Sequence, residues 1–362
     1  MSDTPQGKLP SPAVAEAAAA GRGESKLRAW LELLRAPNLL TVPGDPIVGF
    51  LLALTAEGAS AARPGLRMAL AAGVSLLMYS AGLLWNDWFD LAEDRRQRPH
   101  RPLPRGAVRP ITVPLVANVL MVVAIAAAAV AGKTTLYVAI ALGALVIGYN
   151  ALLKRLPLVG PAAMGACRGL SVLLGAAAMG PAGLLHSPVI AYAGGTLLYI
   201  ATVTWLATEE TRRAAVDAKL LLILTAVAAW LVGLVLTIRP QTSGVSWAIP
   251  ESRFDDFVAV VVAYTLIFIV GGYSVIHVAF RVARLKPGQP RDGDAAPGRE
   301  IAAAALPEPA LVQQTVGHLV RAVIAFQATA AVSLGLRGLC VAAALGGCYL
   351  LSRLLGKWFY GS

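Results

Sequence analysis

Apolar runs of about twenty residues recur along almost the whole chain, and no other feature restricts its fold as much. A helix of that length matches the hydrocarbon thickness of a bilayer. Runs near 38–57, 67–89, 112–131, 134–153, 160–180, 188–208, 218–238, 255–282 and 337–356 each read as a span. Composition points the same way: 57% of residues are hydrophobic and 14% charged, against about 45–50% and about 25% in soluble domains. The expected fold is therefore all-α, a polytopic membrane bundle of about nine transmembrane helices. Residues 311–335 leave two readings open, because Gln313, Gln314, His318, Arg321 and Gln327 interrupt their apolar character. They form either a further span facing other helices or an interfacial helix.

Residues 1–24, rich in Ala, Pro, Gly and Ser, are expected to be a disordered tail with no cleaved signal peptide. Residues 25–362 read as a single membrane domain, with 286–310 a polar linker on the cytoplasmic side. Lys26 to Arg35 has the pattern of an amphipathic helix lying at the membrane surface.

A net charge of +11 raises the question of nucleic acid. The basic residues form no stripe with interleaved aromatics, so that partner is excluded. They crowd instead into the tail, 90–111, 154–155, 209–219 and 281–299, whereas the opposite loops hold only Arg63, Arg67, Lys133, Arg239 and Arg253. Lys and Arg accumulate on the cytoplasmic side and meet anionic lipid heads there. The N-terminus and the basic loops are thus expected in the cytoplasm, in the cell's inner membrane.

The most informative stretch lies at the cytoplasmic end of the second span: Asn86-Asp87-Trp88-Phe89-Asp90-Leu91-Ala92-Glu93-Asp94. On a continuous helix Asp87, Asp90 and Asp94 fall within about 60° of one another. Three carboxylates so close repel each other unless a cation compensates them. Mg²⁺ suits the position, since it is held by one or two carboxylates together with substrate phosphates. A solvated acidic helix end is the alternative, but ionisable groups at the mouth of a membrane bundle usually mark a site. Asn86 adds a neutral oxygen. Arg98 and Arg101, in the basic run that follows, present paired donors suited to diphosphate oxygens.

Two features of this region resemble the UbiA prenyltransferase superfamily. One is Asn86-Asp87-x-x-Asp90-x-x-x-Asp94 followed by Arg101-Pro102-Leu103-x-x-Gly106; the other is Tyr149-x-x-x-x-Lys154-Arg155. The resemblance covers roughly residues 30–240. It implies helices around a central cavity, with acidic loops under a cytoplasmic cap. It also implies attack of an unidentified acceptor on C1 of a prenyl diphosphate. On this resemblance Asp87, Asp90 and Lys154 are the catalytic residues, and Asp87, Asp90 and Asp94 the Mg²⁺ ligands. Asn38, Asn86, Arg98, Arg101, Tyr149, Arg168, Glu209, Arg212 and Arg213 are the substrate-binding set. The chain departs from the family at its second acidic motif, where Glu209-Glu210-Thr211-Arg212-Arg213 stands in place of aspartates. Either one metal suffices and the arginines bind diphosphate directly, or catalysis is lost. Pro37 to Gly49 and Cys167-Arg168-Gly169-Leu170 look like the UbiA-like branch of bacterial ebo clusters.

Asp45 and Arg168 fall inside spans, where each needs a partner. They form a structural ion pair, or else Asp45 faces the acceptor and Arg168 donates to substrate oxygens. A non-catalytic transporter or isoprenoid-binding protein of the same fold is the rival function. A CDP-alcohol phosphotransferase is excluded, because its Asp-Gly-x-x-Ala-Arg run is missing. His186, His277 and His318 read as packing or surface residues, and Cys167, Cys340 and Cys348 as unpaired thiols.

Overall fold

The computed structural model describes residues 26–56, 61–207, 309–332 and 336–360. All regular elements among the described residues are helices. In order, it forms α1 (Lys26–Leu33), α2 (Ala36–Leu39), α3 (Gly44–Ala53), α4 (Pro64–Phe89), α5 (Leu91–Gln97), α6 (Thr112–Ala131) and α7 (Lys133–Ala151). A 3₁₀ turn at Leu153–Arg155 leads to α8 (Val159–Ala177), α9 (Pro181–Leu184), α10 (Ser187–Ala207), α11 (Pro309–Val332) and α12 (Leu336–Tyr360). Six helices among the described residues are long and apolar enough to cross a membrane: α4, α6, α7, α8, α10 and most of α12. The expected tail, the spans at 218–238 and 255–282, and almost all of the 286–310 linker lie outside the described residues, as do Glu209, Arg212 and Arg213.

α8 is the most buried of these spans and packs on α3, α7 and α10. Glycine allows its close approach to α3: a Cβ at Gly175 would collide with the Pro46 carbonyl, and one at Gly49 with that of Val172. Small residues are the usual means of bringing membrane helices together. Polar contacts add to this, with Ser75 and Ser171 hydroxyls 2.6 Å apart between α4 and α8. Tyr199 donates to the Leu319 carbonyl at 2.8 Å, tying α10 to α11. α6 and α7 instead turn large apolar side chains outward, among them Leu115, Val122, Val130 and Tyr137. That surface suits lipid. Thr55 and His186 are hydrogen-bonded at 2.9 Å at the end of the bundle opposite the acidic stretch, and desolvation there holds the imidazole's pKa below its ordinary value.

One expectation is corrected. The first span, read as one helix over 38–57, is broken into α2 and α3. Proline has no N–H and its ring clashes with the preceding turn, so Pro43 and Pro46 end the ladder between Leu40 and Gly44. The described part of 311–335 belongs to α11, which faces other helices. α11 packs on α3, α10 and α12 and buries Leu319, Ile324, Phe326 and Gln327.

Candidate active site at the acidic end of the bundle

The site forms where the C-terminal ends of α4 and α7 meet the N-terminal end of α8. Its acidic groups do not lie on one uninterrupted helix. α4 ends at Phe89 and α5 begins at Leu91, so Asp90 sits at the junction, although its N–H still reaches the Asn86 carbonyl at 3.0 Å. Asp87 and Asp94 are buried and Asp90 is half-buried. Among the described residues no three His, Cys, Asp or Glu side chains are grouped closely enough to hold a metal ion. The expected three-carboxylate set of Asp87, Asp90 and Asp94 is therefore not a preformed protein cage.

Each carboxylate is instead met by a cation from another segment. Lys154 Nζ lies 2.6 Å from Asp90 Oδ1 and donates to Asn86 Oδ1 at 3.3 Å. Arg101 Nη1 lies 2.8 Å from Asp94 Oδ2 and 3.9 Å from Asp87 Oδ1. Arg35 Nη2 approaches Asp87 Oδ1 to 3.7 Å. Tyr149, half-buried near the end of α7, is within electrostatic reach of Arg35 and Asp90. The fold thus gathers Asn86, Asp87, Asp90, Asp94, Arg101, Tyr149 and Lys154 into one mouth, all seven half-buried or more deeply placed.

The basic loop after α5 is held rather than loose. Leu103 is buried in a cluster with Ala29, Leu33, Leu84 and Val108, which fastens the loop to α1 and α4. Gly106 has φ +78, a left-handed conformation that explains glycine at that position. Arg105 Nη2 pairs with Glu32 Oε2 at 3.0 Å and its Nη1 donates to the His100 carbonyl at 3.0 Å. α1 is thereby pinned over the site.

Three expected residues stand apart from these contacts. Arg168 Nε pairs with Asp45 Oδ2 at 2.8 Å and its Nη2 donates to the Thr41 carbonyl at 2.9 Å. Arg168 is thus held at Asp45 and Thr41, away from the carboxylates of the acidic mouth. Arg98 is half-buried, and its side chain makes no hydrogen bond or ion pair among the described residues. Asn38 lies in α2, where its carbonyl accepts from Thr41. Sequence reasoning missed Arg35, Glu32 and Arg105. The amphipathic pattern of Lys26–Arg35 placed that segment at a surface but carried no signal for its partners.

Mg²⁺ fits this chemistry under one condition. The carboxylates are compensated by movable cations and cannot encircle an ion alone, so the residues suit a cation that arrives with phosphate oxygens.

Comparison with known proteins adds the following. The sequence model of the UbiA prenyltransferase family matches residues 46–279, more than half of the chain. Digeranylgeranylglyceryl phosphate synthase of Natronomonas pharaonis is 34% identical over 175 residues, covering 46% of this chain and 58% of the relative. The synthase of Pyrococcus abyssi is 31% identical over 159 residues, covering 44% and 56%. The chain spans little more than half the length of these curated relatives. Among solved structures, a UbiA homologue from Archaeoglobus fulgidus bound to GPP and Mg²⁺ is 16% identical with a TM-score of 0.45, over 82% of this chain and 99% of that one.

Proposed function

The chain belongs to the UbiA prenyltransferase family, and from that premise we propose that it transfers a prenyl group from a prenyl diphosphate to an acceptor not yet identified. The observation that carries the reading is the convergence of Asp87, Asp90 and Asp94 with Arg35, Arg101 and Lys154 at one end of an apolar bundle. Acidic groups alone would suit a cation, and basic groups alone an anion. Interleaved, they suit the two together, as in a magnesium diphosphate.

In this proposal Asp87 and Asp90 hold Mg²⁺, with Asp94 beside them. Bound there, Mg²⁺ would draw charge from the leaving diphosphate. Lys154 exchanges Asp90 for a diphosphate oxygen, and Arg101 and Arg35 likewise turn from carboxylate to phosphate. Arg98, with no side-chain partner among the described residues, supplies a further donor. Arg212, Arg213 and Glu209, outside the described residues, complete the substrate-binding set together with Asn38, Asn86 and Tyr149. The C1–O bond breaks with its electron pair going to the diphosphate, and the acceptor bonds to C1 and loses a proton. The apolar walls of α4, α7 and α8 keep water from the cationic carbon.

The asymmetry of Lys and Arg supports a cytoplasmic site in the cell's inner membrane. The likeness of Pro37–Gly49 and Cys167–Leu170 to the ebo-cluster branch supports a finer placement there. The curated matches are archaeal digeranylgeranylglyceryl phosphate synthases. These two likenesses point to no single acceptor. Mass spectrometry of lipids from cells with and without the gene tests the proposal. A species heavier by one prenyl chain is expected only with the gene; identical lipid profiles would count against it.

A further inference from the structure

The break between α2 and α3 leaves two backbone carbonyls without their helical partners. The Thr41 N–H turns to Asn38 and so leaves the Pro37 carbonyl; the Asp45 N–H turns to Val42 and leaves that of Thr41. Such groups cannot go unpaired at membrane depth. Both receive a donor from the other end of the sequence, the Thr41 carbonyl in addition to the Arg168 Nη2 described above. Ser352 Oγ of α12 donates to the Pro37 carbonyl at 2.9 Å. Gln327 Nε2 of α11 donates to the Thr41 carbonyl at 2.8 Å and to Asp45 Oδ1 at 2.7 Å. Gln327 and Ser352 are both fully buried, and both lie beyond the matched residues 46–279.

The segment they hold is the one that delivers Arg35. Arg35 has φ 47 and ψ 55, a left-handed conformation unfavourable for a side chain with a Cβ. Such a residue keeps its place only when its surroundings over-determine it. Here α2 follows at once, with Pro37 and Thr41 fixed by α12 and α11. The guanidinium thereby reaches Asp87 at 3.7 Å.

We propose that Gln327 and Ser352 are positioning residues for the reaction, holding the Arg35–Thr41 segment so that Arg35 meets the donor's diphosphate beside Asp87. The inference rests on the prenyl-transfer reading for its kinetic part, but not for its structural part.

The test uses the full-length protein in detergent with Gln327→Leu, and Ser352→Ala as the milder change should the first fail to fold. Hydrogen exchange over residues 36–45 is expected to rise in either variant. Unchanged exchange overturns the proposal whatever the activity. For turnover, KM for the prenyl diphosphate is expected to rise by up to about tenfold with kcat little changed. The deciding comparison is made in an Arg35→Gln background. There, adding Gln327→Leu or Ser352→Ala should raise KM no further, since the guanidinium they place is gone. A full additional rise would show that these residues act on stability alone and would overturn the positioning role. If the unsubstituted protein turns over no donor, the functional reading fails, and the exchange result still decides the placement.

Discussion

Asp87→Ala and Asp90→Ala are each expected to lower prenyl transfer by about 10²–10³-fold or more, with expression and helix content unchanged. The reasoning follows from what surrounds each carboxylate. Asp87 is buried, with Arg35 and Arg101 within 4 Å. Its removal deletes a proposed Mg²⁺ ligand and leaves Arg35 and Arg101 without that carboxylate. Asp90 is the partner of Lys154 at 2.6 Å. Its removal takes away the other proposed ligand and leaves Lys154 without that carboxylate. Asp94→Ala should cost less, because Asp94 is committed to Arg101 at 2.8 Å and works mainly by orienting it. Steady-state kinetics on purified variants gives the order. Equal, mild losses at all three positions would show that the cluster is a solvated acidic end with no part in the chemistry.

The second large effect falls on stability. Asp45 is fully buried and Arg168 nearly so, and they pair at 2.8 Å between α3 and α8. Breaking a buried pair from one side strands a charge and costs about 3–5 kcal/mol. Asp45→Leu or Arg168→Leu alone should therefore lower the apparent melting temperature by something on the order of 10 °C. The double variant Asp45→Leu, Arg168→Met removes both charges and should recover most of that loss. Gln327 still closes the Thr41 carbonyl in the double variant, which is why recovery is expected. Single variants that melt with the unsubstituted protein would mean that the pair contributes nothing to holding α3 on α8.

The local parts of this architecture were readable in the chain. Apolar length located α4, α6, α7, α8, α10 and α12, because a span is a property of consecutive residues. The aspartates of Asn86–Asp94 stood out for the same reason. The broken first span was overlooked although Pro43 and Pro46 are its cause; the apolar length of 38–57 outweighed two residues that forbid a continuous ladder. Pairings between distant segments were harder. Glu32 with Arg105, and Arg35 with Asp87, depend on how α1 folds back over the mouth, and nothing in either sequence neighbourhood encodes the other. Lys154 with Asp90 was approached only through a family resemblance. Gln327 illustrates the remaining difficulty. It is one of the five polar residues that leave 311–335 open to two readings, and its contact is visible only once the gap in another helix is known to need a donor.

The prenyl-transfer account is tested most directly by incubating the purified full-length protein with prenyl diphosphate labelled in the prenyl chain, Mg²⁺ and a lipid extract of its own cells. Label should enter a new apolar product with an equal amount of diphosphate released, and both should cease when the metal is chelated. Donor that binds while no diphosphate is released and no label moves would contradict the account, and would make the acidic mouth a binding site without turnover.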